Sequence, residues 1–451
     1  MGAELKKRKI RPFFGLKIAE ERELHKIARK MKMINKPELL APAGNFEKLK
    51  VAVAFGADAV YMAGNAFGMR SAAGNFTDEQ IAEAVKYCHE RGVKVYITVN
   101  TMPRTSEYER LSKYLPKLEA AGVDALIISD LGVFMLAKEV VPSMTLHVST
   151  QASVVSARTC TEWYKLGAKR VILARELSLD EIKEIRREIP KELEIEAFVH
   201  GSMCVSYSGR CLLSNYLTGR DANRGACAQP CRWEYKLKSI HAEFEEVKRK
   251  DERLVMVEDG NDSFTFSSRD LCMIEHIPLL AESGLSCLKI EGRMKSSCYV
   301  GAVTNAYRMA IDKYAQNPEG YEYDPRWLSE LESVCHREYC TGFFFGESAD
   351  SANICKQPGY IKEQAALAVC DGYDEKTKRA FFTQKNKFSV GERIELLIPG
   401  RVAEEFTVNA IYGENGEKID SVPHPMMRFS IEVPFEAPMY SIIRYAKSDT
   451  L

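Results

Sequence analysis

Residues 38–64 read ELLAPAGNFEKLKVAVAFGADAVYMAG, and this stretch sets the pattern for most of the chain. Its apolar ends, Glu38–Ala41 and Ala59–Met62, are predicted β-strands, and the amphipathic segment between them, Phe46–Phe55, is a predicted helix. Gly56 stands where a C-cap glycine belongs, just before the second strand. A strand, a helix and a second strand in succession predict a βαβ unit with parallel strands.

The same alternation continues to about residue 316. The remaining predicted strands are Lys94–Val99, Ala125–Ser129, Leu146–Ser149, Arg170–Ala174, Glu194–Val199 and Cys287–Ile290. The predicted helices between them are Asp78–Arg91, Glu107–Ala121, Gly132–Val140, Ser156–Leu166 and Leu179–Glu188. Apolar strands that alternate with helices imply parallel pairing with both faces covered. We therefore predict the α/β class, with a TIM-like (β/α)8 barrel over residues 37–316 and a doubly wound open sheet as the competing arrangement.

An insertion of about residues 201–268 separates the seventh predicted strand from the eighth. It begins with a run rich in cysteine and continues with a hairpin-like stretch formed by Trp233–Lys238 and Leu254–Phe266. Insertions after a barrel strand lie at the end of the barrel where active sites are built. The sequence thus predicts a cysteine-bearing insertion at the catalytic end.

The rhythm changes beyond the barrel. Residues 317–355 are a predicted helical connector, with a helix over Pro325–Cys335. From residue 356 to 451 the apolar pattern has period two, and Asn415–Gly416 is a strong hairpin signal. These features predict a small C-terminal β-barrel domain.

Composition narrows the class of protein. Lys+Arg and Asp+Glu are both 63, so the chain as a whole has no polyanion-binding signature. Residues 1–36 differ, with twelve Lys or Arg against four Glu, and form a predicted basic helical extension with its helix over Leu16–Met33. The sequence lacks a secretory signal and an apolar run of about 18 residues, so we expect a cytoplasmic protein without a membrane partner. Thirteen cysteines in a reducing compartment favour metal binding or catalysis over disulfides.

Four of these cysteines, Cys204, Cys211, Cys227 and Cys231, lie in HGSMCVSYSGRCLLSNYLTGRDANRGACAQPCRW, directly after the seventh predicted strand. Their spacing of six, fifteen and three intervening residues lets a wrapped loop supply four thiolates to a [4Fe–4S] cluster. Structural zinc uses ligand pairs separated by two to four residues, a spacing that only the last pair has. Four unrelated reduced thiols are the third interpretation. Cys272, at the start of the next predicted helix, is close enough in the barrel topology to replace one of the four.

Polar residues follow the predicted barrel strands at their C-terminal ends, where chemistry takes place in (β/α)8 barrels. They are Pro42, Gly44, Tyr61, Gly64, Asn100, Asp130, His147, Ser149, Gln151, Arg175, Glu176, His200, Glu291 and Arg293. Each alone is more simply a structural polar residue. Together they predict a mixed-charge pocket that holds a small anionic substrate through Arg175 and Arg293. His200 and Glu291 are the candidates for proton transfer, and Glu176 completes the predicted catalytic set.

Common catalytic signatures are missing from the sequence. It contains no GxxxxGK[ST] phosphate loop, no HExxH and no GxSxG elbow. Cys204 and His200 are only a few residues apart on one loop, and this separation gives no geometric support for a nucleophile–base pair. A protease interpretation is therefore weak.

RNA binding would have to come from local charge. Residues Lys376–Arg393 interleave six basic side chains with Phe381, Phe382 and Phe388, a mixture that suits unstacked anticodon bases. The alternative is an ordinary hairpin whose aromatic residues face the domain core. The basic N-terminal helix is the second candidate surface.

Three stretches carry a resemblance to a known family. They are residues 38–64, the cysteine run extended to residues 198–233, and SSRDLCMIEHIPLLAESGLSCLKIEGRMKS at residues 267–296. Together they resemble the collagenase-like peptidase family, peptidase family U32. Within it the chain is most similar to the branch of prephenate-dependent tRNA uridine-hydroxylation proteins, over roughly residues 36–447.

The resemblance implies a specific activity. It implies oxygen-independent 5-hydroxylation of the wobble uridine in the tRNA anticodon region, with a [4Fe–4S] cluster as cofactor and prephenate as the hydroxyl donor. Cys204, Cys211 and Cys227 match the family's cluster ligands, and either Cys231 or Cys272 matches the fourth. A U32-type peptidase, a non-catalytic partner of a paralogous family member and a ribosomal RNA cytidine hydroxylase are the alternatives.

Overall fold

The protein is described by a computed structural model that covers residues 36–69, 74–233, 268–346, 360–361 and 364–447. Between residues 235 and 264 it describes only the backbone of four two-residue strands. The predicted N-terminal helix over Leu16–Met33 lies outside the described residues.

Ten strands form the first sheet. They are β1 (Glu38–Pro42), β2 (Ala59–Met62), β3 (Lys94–Val99), β4 (Ala125–Ile128), β5 (Leu146–Val148), β6 (Arg170–Ile172), β7 (Glu194–Ser202), β8 (Asp270–Cys272), β9 (Cys287–Ile290) and β10 (Tyr339–Cys340). Strands β1 to β7 pair in parallel and in chain order, and β9 pairs in parallel with both β7 and β1. Eight parallel strands thus close into a barrel. The TIM-like prediction is confirmed over the open doubly wound sheet.

Helices follow the barrel strands. They are α1 (Phe46–Ala54), α2 (Asp78–His89), α3 (Tyr108–Ala120), α4 (Leu131–Val140), α5 (Ala157–Lys165), α6 (Leu179–Glu188), α7 (Leu213–Thr218), α8 (Ile277–Glu282), α9 (Ser297–Gln316) and α10 (Arg326–Glu332). Thr77 and Ser178 form capping boxes at the starts of α2 and α6. Gly56, after α1, has a φ of 92°, the left-handed conformation that ends a helix. No helix of the described residues could cross a membrane, because none combines sufficient length with sufficient apolarity.

The insertion leaves the barrel by way of a long seventh strand. Residues Gly201 and Ser202 extend β7 past the barrel and pair antiparallel with β8, which in turn pairs in parallel with β10. The prediction that Cys272 begins a helix is therefore wrong. The backbone of residues Asp270–Cys272 hydrogen-bonds to the extension of β7 and so forms a strand. In the backbone ladder Cys272 lies opposite His200.

Within the insertion, the described two-residue strands pair antiparallel. Tyr235–Lys236 pairs with Ser263–Phe264, and Phe244–Glu245 pairs with Arg253–Leu254. These pairings agree with a hairpin-like segment between the cysteine run and β8.

The barrel interior contains a network of buried charges. Arg170 of β6 contacts Glu38 of β1 at 2.7 Å, and it also contacts the two β7 carboxylates, Glu194 at 2.6 Å and Glu196 at 3.2 Å. Lys289 of β9 reaches Glu196 at 2.9 Å. Because buried charges are costly unless they are paired, this network holds four strands in a defined arrangement.

The C-terminal domain is an eight-stranded antiparallel sheet. Its strands are β11 (Ala366–Asp374), β12 (Arg379–Gln384), β13 (Arg393–Leu397), β14 (Glu404–Thr407), β15 (Ile411–Gly413), β16 (Lys418–Ile419), β17 (Arg428–Glu432) and β18 (Ile442–Tyr445). Their order in the sheet is β14-β13-β18-β11-β12-β17-β15-β16. The predicted C-terminal β domain is confirmed as an antiparallel half-barrel, with the Asn415–Gly416 hairpin between β15 and β16.

The half-barrel packs on the barrel through α9 and α10. Ile442 belongs to the same buried apolar cluster as the barrel core. Arg444 of β18 is buried and contacts Glu330 of α10 at 2.9 Å, and the Asn305 side chain of α9 donates to the carbonyl of Arg401 at 2.6 Å. The two domains therefore share a buried, hydrogen-bonded interface.

Candidate active site

The C-terminal ends of β6 and β7 support the start of the cysteine run. The Arg175 guanidinium donates to the carbonyl of Ser202 at 2.8 Å and stacks on the ring of Phe198, 4.1 Å from its centroid. The next residue, Glu176, accepts hydrogen bonds from the backbone N–H (2.8 Å) and the hydroxyl (3.3 Å) of Ser208. These two side chains therefore hold the loop on either side of Cys204.

Both residues also keep an unused polar atom. Nε of Arg175 and Oε2 of Glu176 are buried and have no hydrogen-bond partner among the described residues. A guanidinium with a spare donor beside Cys204 is suited to binding an anion there. Arg175 and Glu176 also position the loop, which their sequence alone did not indicate.

Arg293 is placed differently from the prediction of a substrate-binding arginine. It is 3% exposed and donates to the carbonyl of Met69 at 2.8 Å, to Oδ1 of Asn75 at 2.7 Å and to the hydroxyl of Thr98 at 3.4 Å. Its backbone carbonyl lies where a side chain on Gly44 would stand, only 2.1 Å from that Cβ position. Arg293 thus ties the loop after β9 to the loops after β1 and β2.

His200 lies in an aromatic cage. The rings of Tyr299, Tyr307 and Tyr339 surround it with centroids 5.4 to 5.9 Å away. Both ring nitrogens are buried without a hydrogen-bond partner among the described residues. Burial lowers the pKa of His200 to about 3, with the positive charge of Lys295 adding to the effect and Asp270 opposing it. With this low pKa the imidazole is neutral near pH 7 and is a weak base. Its ring faces the tyrosines of α9 and β10.

Glu291, the other candidate for proton transfer, ends a polar column inside the barrel. The Tyr61 hydroxyl lies 3.3 Å from Oε2 of Glu291 and donates to the Ile290 carbonyl at 3.0 Å. Nζ of Lys289 lies 4.5 Å from the centroid of the Tyr61 ring and contacts Glu196. The column thus connects the mouth of the barrel with the buried charge network. The sequence did not single out Lys289 and Glu196 as site residues. Their only signal is that each is a charged residue within an otherwise apolar strand.

Other predicted strand-end residues are mainly structural. Asp130 caps α4 and accepts from the Tyr108 hydroxyl at 2.9 Å. His147 is buried inside the barrel beside Tyr96, and burial and the nearby charge of Arg170 lower its pKa. The Asn100 amide contacts the Ser149 hydroxyl at 3.4 Å. Asp130, Asn100 and Ser149 thus make contacts within the chain near the mouth, whereas His147 is part of the barrel interior.

Residues 201–233, here called the cysteine lobe, dock on the loops that follow β3 and β5. Arg224 forms a two-pronged ion pair with Glu107, at 2.9 and 3.1 Å, and also donates to the carbonyl of Met102. Gly209, with a φ of 77°, approaches the Gln151 carbonyl so closely that an added Cβ would lie 2.2 Å from its oxygen. The lobe therefore covers part of the barrel mouth and is held there by a few local contacts.

The lobe carries four cysteines, two of which are in direct contact. The Cys204 and Cys211 thiols are hydrogen-bonded to each other, and this bond lowers the pKa of Cys211 to about 5, helped by the Ser206 hydroxyl and by backbone N–H groups at the start of α7. The same bond raises the pKa of Cys204. Burial raises the pKa of Cys231, which lies within electrostatic range of the side chains of Cys227 and Cys211.

Cys272 lies in a different environment. It is 9% exposed on β8, and burial raises the pKa of its thiol to about 12. Its neighbours include Tyr307, one wall of the His200 cage. Of the two candidates for a fourth ligand, Cys231 is the one that belongs to the lobe.

We tested whether these residues suit a thiolate-bound group. Within the described part of the chain, no three His, Cys, Asp or Glu side chains converge closely enough to hold a metal ion. Four cysteines share the lobe, however, and the hydrogen bond from Cys204 lowers the pKa of Cys211. In number and in chemistry this donor set fits a group held by thiolates, as an iron–sulfur cluster is.

The predicted RNA-binding segment Lys376–Arg393 is only partly exposed in its aromatic residues. Phe382 and Phe388 are buried in the core of the half-barrel, with 1% and 0% of their surface exposed. Phe381 points outward and is 46% exposed. The alternative of an ordinary hairpin with core-facing aromatic residues is therefore correct for two of the three.

Comparison with known families accounts for both domains. Residues 44–353 match the profile of peptidase family U32, and residues 362–444 match the profile of its C-terminal domain. The chain belongs to peptidase family U32. Most of the described barrel, the cysteine lobe and the half-barrel fall within these matches.

Members of the family differ in the functions that their names state. The chain is 38% identical over 391 residues to tRNA hydroxylation protein P1 of Bacillus subtilis, covering 87% of this chain and 90% of the relative. It is 35% identical to tRNA hydroxylation protein P of Escherichia coli, covering 86% and 92%. It is also 44% identical to a protein of Methanocaldococcus jannaschii named as an uncharacterised protease, covering 68% and 73%. This U32 chain is thus a homologue of tRNA hydroxylation proteins over most of its length.

Proposed function

We propose that this U32 protein hydroxylates C5 of the wobble uridine in tRNA, with an iron–sulfur cluster as cofactor and prephenate as the hydroxyl donor. The observation that carries the proposal is a lobe with four cysteines held at the mouth of a closed barrel in a chain homologous to tRNA hydroxylation proteins. The reaction replaces a C–H bond with a C–O bond, which oxidises the base by two electrons. The donor must therefore accept two electrons as its hydroxyl oxygen is transferred.

Each part of the site has a role in this proposal. Cys204, Cys211, Cys227 and Cys231 would hold the cluster, which supplies electron-transfer chemistry when bound. Arg175, with its spare Nε donor, would bind a carboxylate of the donor beside the thiols. Glu176 fixes the loop between β7 and α7 through Ser208.

The mouth of the barrel supplies the remaining groups. Glu291, held by the Tyr61 hydroxyl, is the better candidate for proton transfer, because the low pKa of His200 leaves its imidazole a weak base. Arg293 would act by holding the mouth together, since its guanidinium already donates to three groups of the chain. Access to a base in a structured loop would require that the base be turned out of its stack.

The first experiment measures iron and acid-labile sulfide in anaerobically purified protein, together with its absorption spectrum. We expect about four of each per chain in the wild type. The Cys204→Ala and Cys211→Ala variants should lose both, while Cys370→Ala, which changes a buried thiol of the half-barrel, should keep both. Stoichiometric zinc without iron would contradict the proposed redox mechanism.

The second experiment identifies the substrate. A strain that lacks the gene is complemented with the wild type or with Arg175→Gln, and the nucleosides of its tRNA and ribosomal RNA are analysed by mass spectrometry. We expect 5-hydroxyuridine derivatives of tRNA to disappear without the wild type and to fall strongly with Arg175→Gln. Loss of a hydroxylated cytidine from ribosomal RNA instead would point to the alternative substrate.

Peptide cleavage is the second candidate function. It is favoured by the readily ionised Cys211 and by the relative named as a protease. His200, the histidine nearest in sequence to the lobe, is enclosed by three tyrosine rings, and its pKa of about 3 makes it a weak base and a poor proton carrier for a cysteine nucleophile. Cleavage of gelatin or of a peptide library by the anaerobic protein, abolished in Cys211→Ala, would favour the peptidase.

A further inference from the structure

The outer face of the cysteine lobe exposes large apolar side chains. Tyr216 is 81% exposed, Leu212 56%, Leu217 51% and Tyr207 45%. These four residues lie close together in sequence, on both sides of Cys211. Exposed apolar groups concentrated in this way mark surfaces that bind another molecule. We call these four residues, with Arg210 and Arg220, the lobe face.

Two backbone hydrogen bonds hold members of the lobe face near each other in pairs. The N–H of Arg210 donates to the carbonyl of Tyr207 at 3.0 Å, which places these two residues in one tight turn. The N–H of Tyr216 donates to the carbonyl of Leu212 at 3.0 Å, and residues four apart on a helix are neighbours on its surface. The two exposed aromatic rings thus belong to two adjacent turns of the chain, nine residues apart in sequence.

The charge of the lobe identifies what class of partner suits this face. The whole chain has equal numbers of acidic and basic residues, but residues 201–233 contain four Arg, one Asp and no Lys or Glu. Arg224 is paired with Glu107, and Arg232 donates to Gln229 and Tyr360. Arg210 and Arg220 are exposed on the lobe face, and Arg210 donates through Nε to the Ser153 hydroxyl at 3.3 Å. Such a local excess of arginine around exposed tyrosines favours a polyanion with aromatic bases over an apolar protein partner.

We propose that the lobe face binds unpaired nucleotides of an RNA loop. The Tyr207 and Tyr216 rings stack on bases, and Arg210 and Arg220 contact the flanking phosphates. The proposal rests on the proposed function, because a tRNA-modifying activity is what brings an RNA loop to this lobe. It moves the RNA-binding surface from the half-barrel hairpin to the segment that carries Cys204 and Cys211, so that the bound loop lies beside the thiols.

The test is a binding titration of anaerobically purified full-length protein with tRNA from a strain that lacks the gene and with an anticodon stem-loop hairpin. Tyr216→Ala should weaken binding about tenfold to a hundredfold, because one stacking platform is lost. Tyr216→Trp keeps a stacking ring and should bind within about threefold of the wild type. Arg220→Gln should lower the slope of log affinity against log salt by about one, as expected for one lost phosphate contact.

Phe381→Ala is the matched control. It removes a comparably exposed aromatic ring from the half-barrel, in the segment predicted from sequence to bind RNA, and should leave affinity unchanged. Far-ultraviolet circular dichroism and iron content of each variant show that the fold and the lobe are intact. A large loss for Phe381→Ala together with none for Tyr216→Ala would overturn the assignment of the surface.

Two further outcomes separate this proposal from the function on which it rests. One outcome is that deletion of the gene removes the tRNA modification while Tyr216→Ala binds and modifies tRNA as the wild type does. In that case the assignment of RNA binding to the lobe face is wrong and the proposed function is retained. If the wild type neither binds tRNA nor affects its nucleosides, the function itself fails. If Tyr216→Ala changes a dimer to a monomer in light scattering and leaves RNA affinity unchanged, the face is an interface between copies of the chain.

Discussion

The barrel and the cysteine lobe are held together in different ways. In the barrel, buried Arg170 of β6 forms ion pairs with Glu38 of the distant strand β1 and with Glu194 and Glu196 of the neighbouring strand β7. The lobe is a chain of turns and short helices that is fixed at Ser202, Ser208, Gly209 and Arg224 and exposes apolar side chains to solvent. The barrel is thus a stable scaffold, and the lobe is the part of the described chain that is held by fewer and more local contacts.

This contrast predicts that the largest loss of stability comes from the barrel network. Arg170→Met leaves three carboxylates without their shared cation, so the free energy of unfolding in urea should fall by about 3–5 kcal/mol. The matched control is Lys113→Met, which breaks an exposed ion pair with Glu109 and should cost less than about 0.5 kcal/mol. A difference between the two variants of under 1 kcal/mol would mean that the buried network is not what holds the barrel.

The next largest effect concerns His200, at the boundary between the two regions. Its pKa is lowered from 6.5 to about 3 in the folded protein, so the unfolded chain binds the extra proton between these two values. Stability is therefore lost as the pH falls through this window, by about 2 kcal/mol between pH 7 and pH 5. His200→Phe keeps an aromatic ring in the cage and removes this dependence.

The measurement compares urea unfolding of the wild type and His200→Phe at the two pH values. Asp270, which faces the imidazole, does not interfere, because its pKa lies below 3.8. Equal pH dependence in the two proteins would show that His200 is not buried as a neutral group. Lys295 and His336, which also face His200, are unchanged in both proteins.

The smallest effect on global stability is expected from undocking the lobe. Gly209 and Gly219 both have left-handed φ angles, 77° and 68°, so alanine at either should cost about 1 kcal/mol of local strain. Only Gly209 approaches another segment, the Gln151 carbonyl, whereas a Cβ on Gly219 meets nothing within 4 Å. Hydrogen exchange of residues 201–233 should therefore accelerate much more in Gly209→Ala than in Gly219→Ala, with barrel exchange unchanged. Equal acceleration in both would show that this contact does not hold the lobe.

The sequence predicts the barrel well because its signals are local. Apolar strands, amphipathic helices and caps such as Thr77 and Ser178 are each decided by neighbouring residues. The buried charges are not predictable in this way, since Glu196 and Lys289 become partners only once β7 and β9 are known to be neighbours. In the sequence alone, each of the two residues is only a charged interruption of an apolar strand.

The candidate site is predicted in content more than in arrangement. The register between β7 and β9 shifts at Lys289–Ile290, and the strand runs on through Gly201 to pair with β8. As a result His200 faces α9, although its position at a strand end suggested the barrel mouth. The anchoring roles of Arg175 and Glu176 depend on contacts with a loop about thirty residues away in sequence, which no local pattern reveals.

Closure of the barrel by β9 has a consequence for how the chain is made. The first strand pairs with the last one across roughly 250 residues of sequence, Glu38 opposite Cys287. Synthesis proceeds from the N-terminus at about 5–20 residues per second, so β1 keeps one open edge for many seconds while the cysteine lobe has already left the ribosome. An unpaired parallel edge is prone to wrong association during that time. The lobe and its thiols thus leave the ribosome before the barrel beneath them is complete.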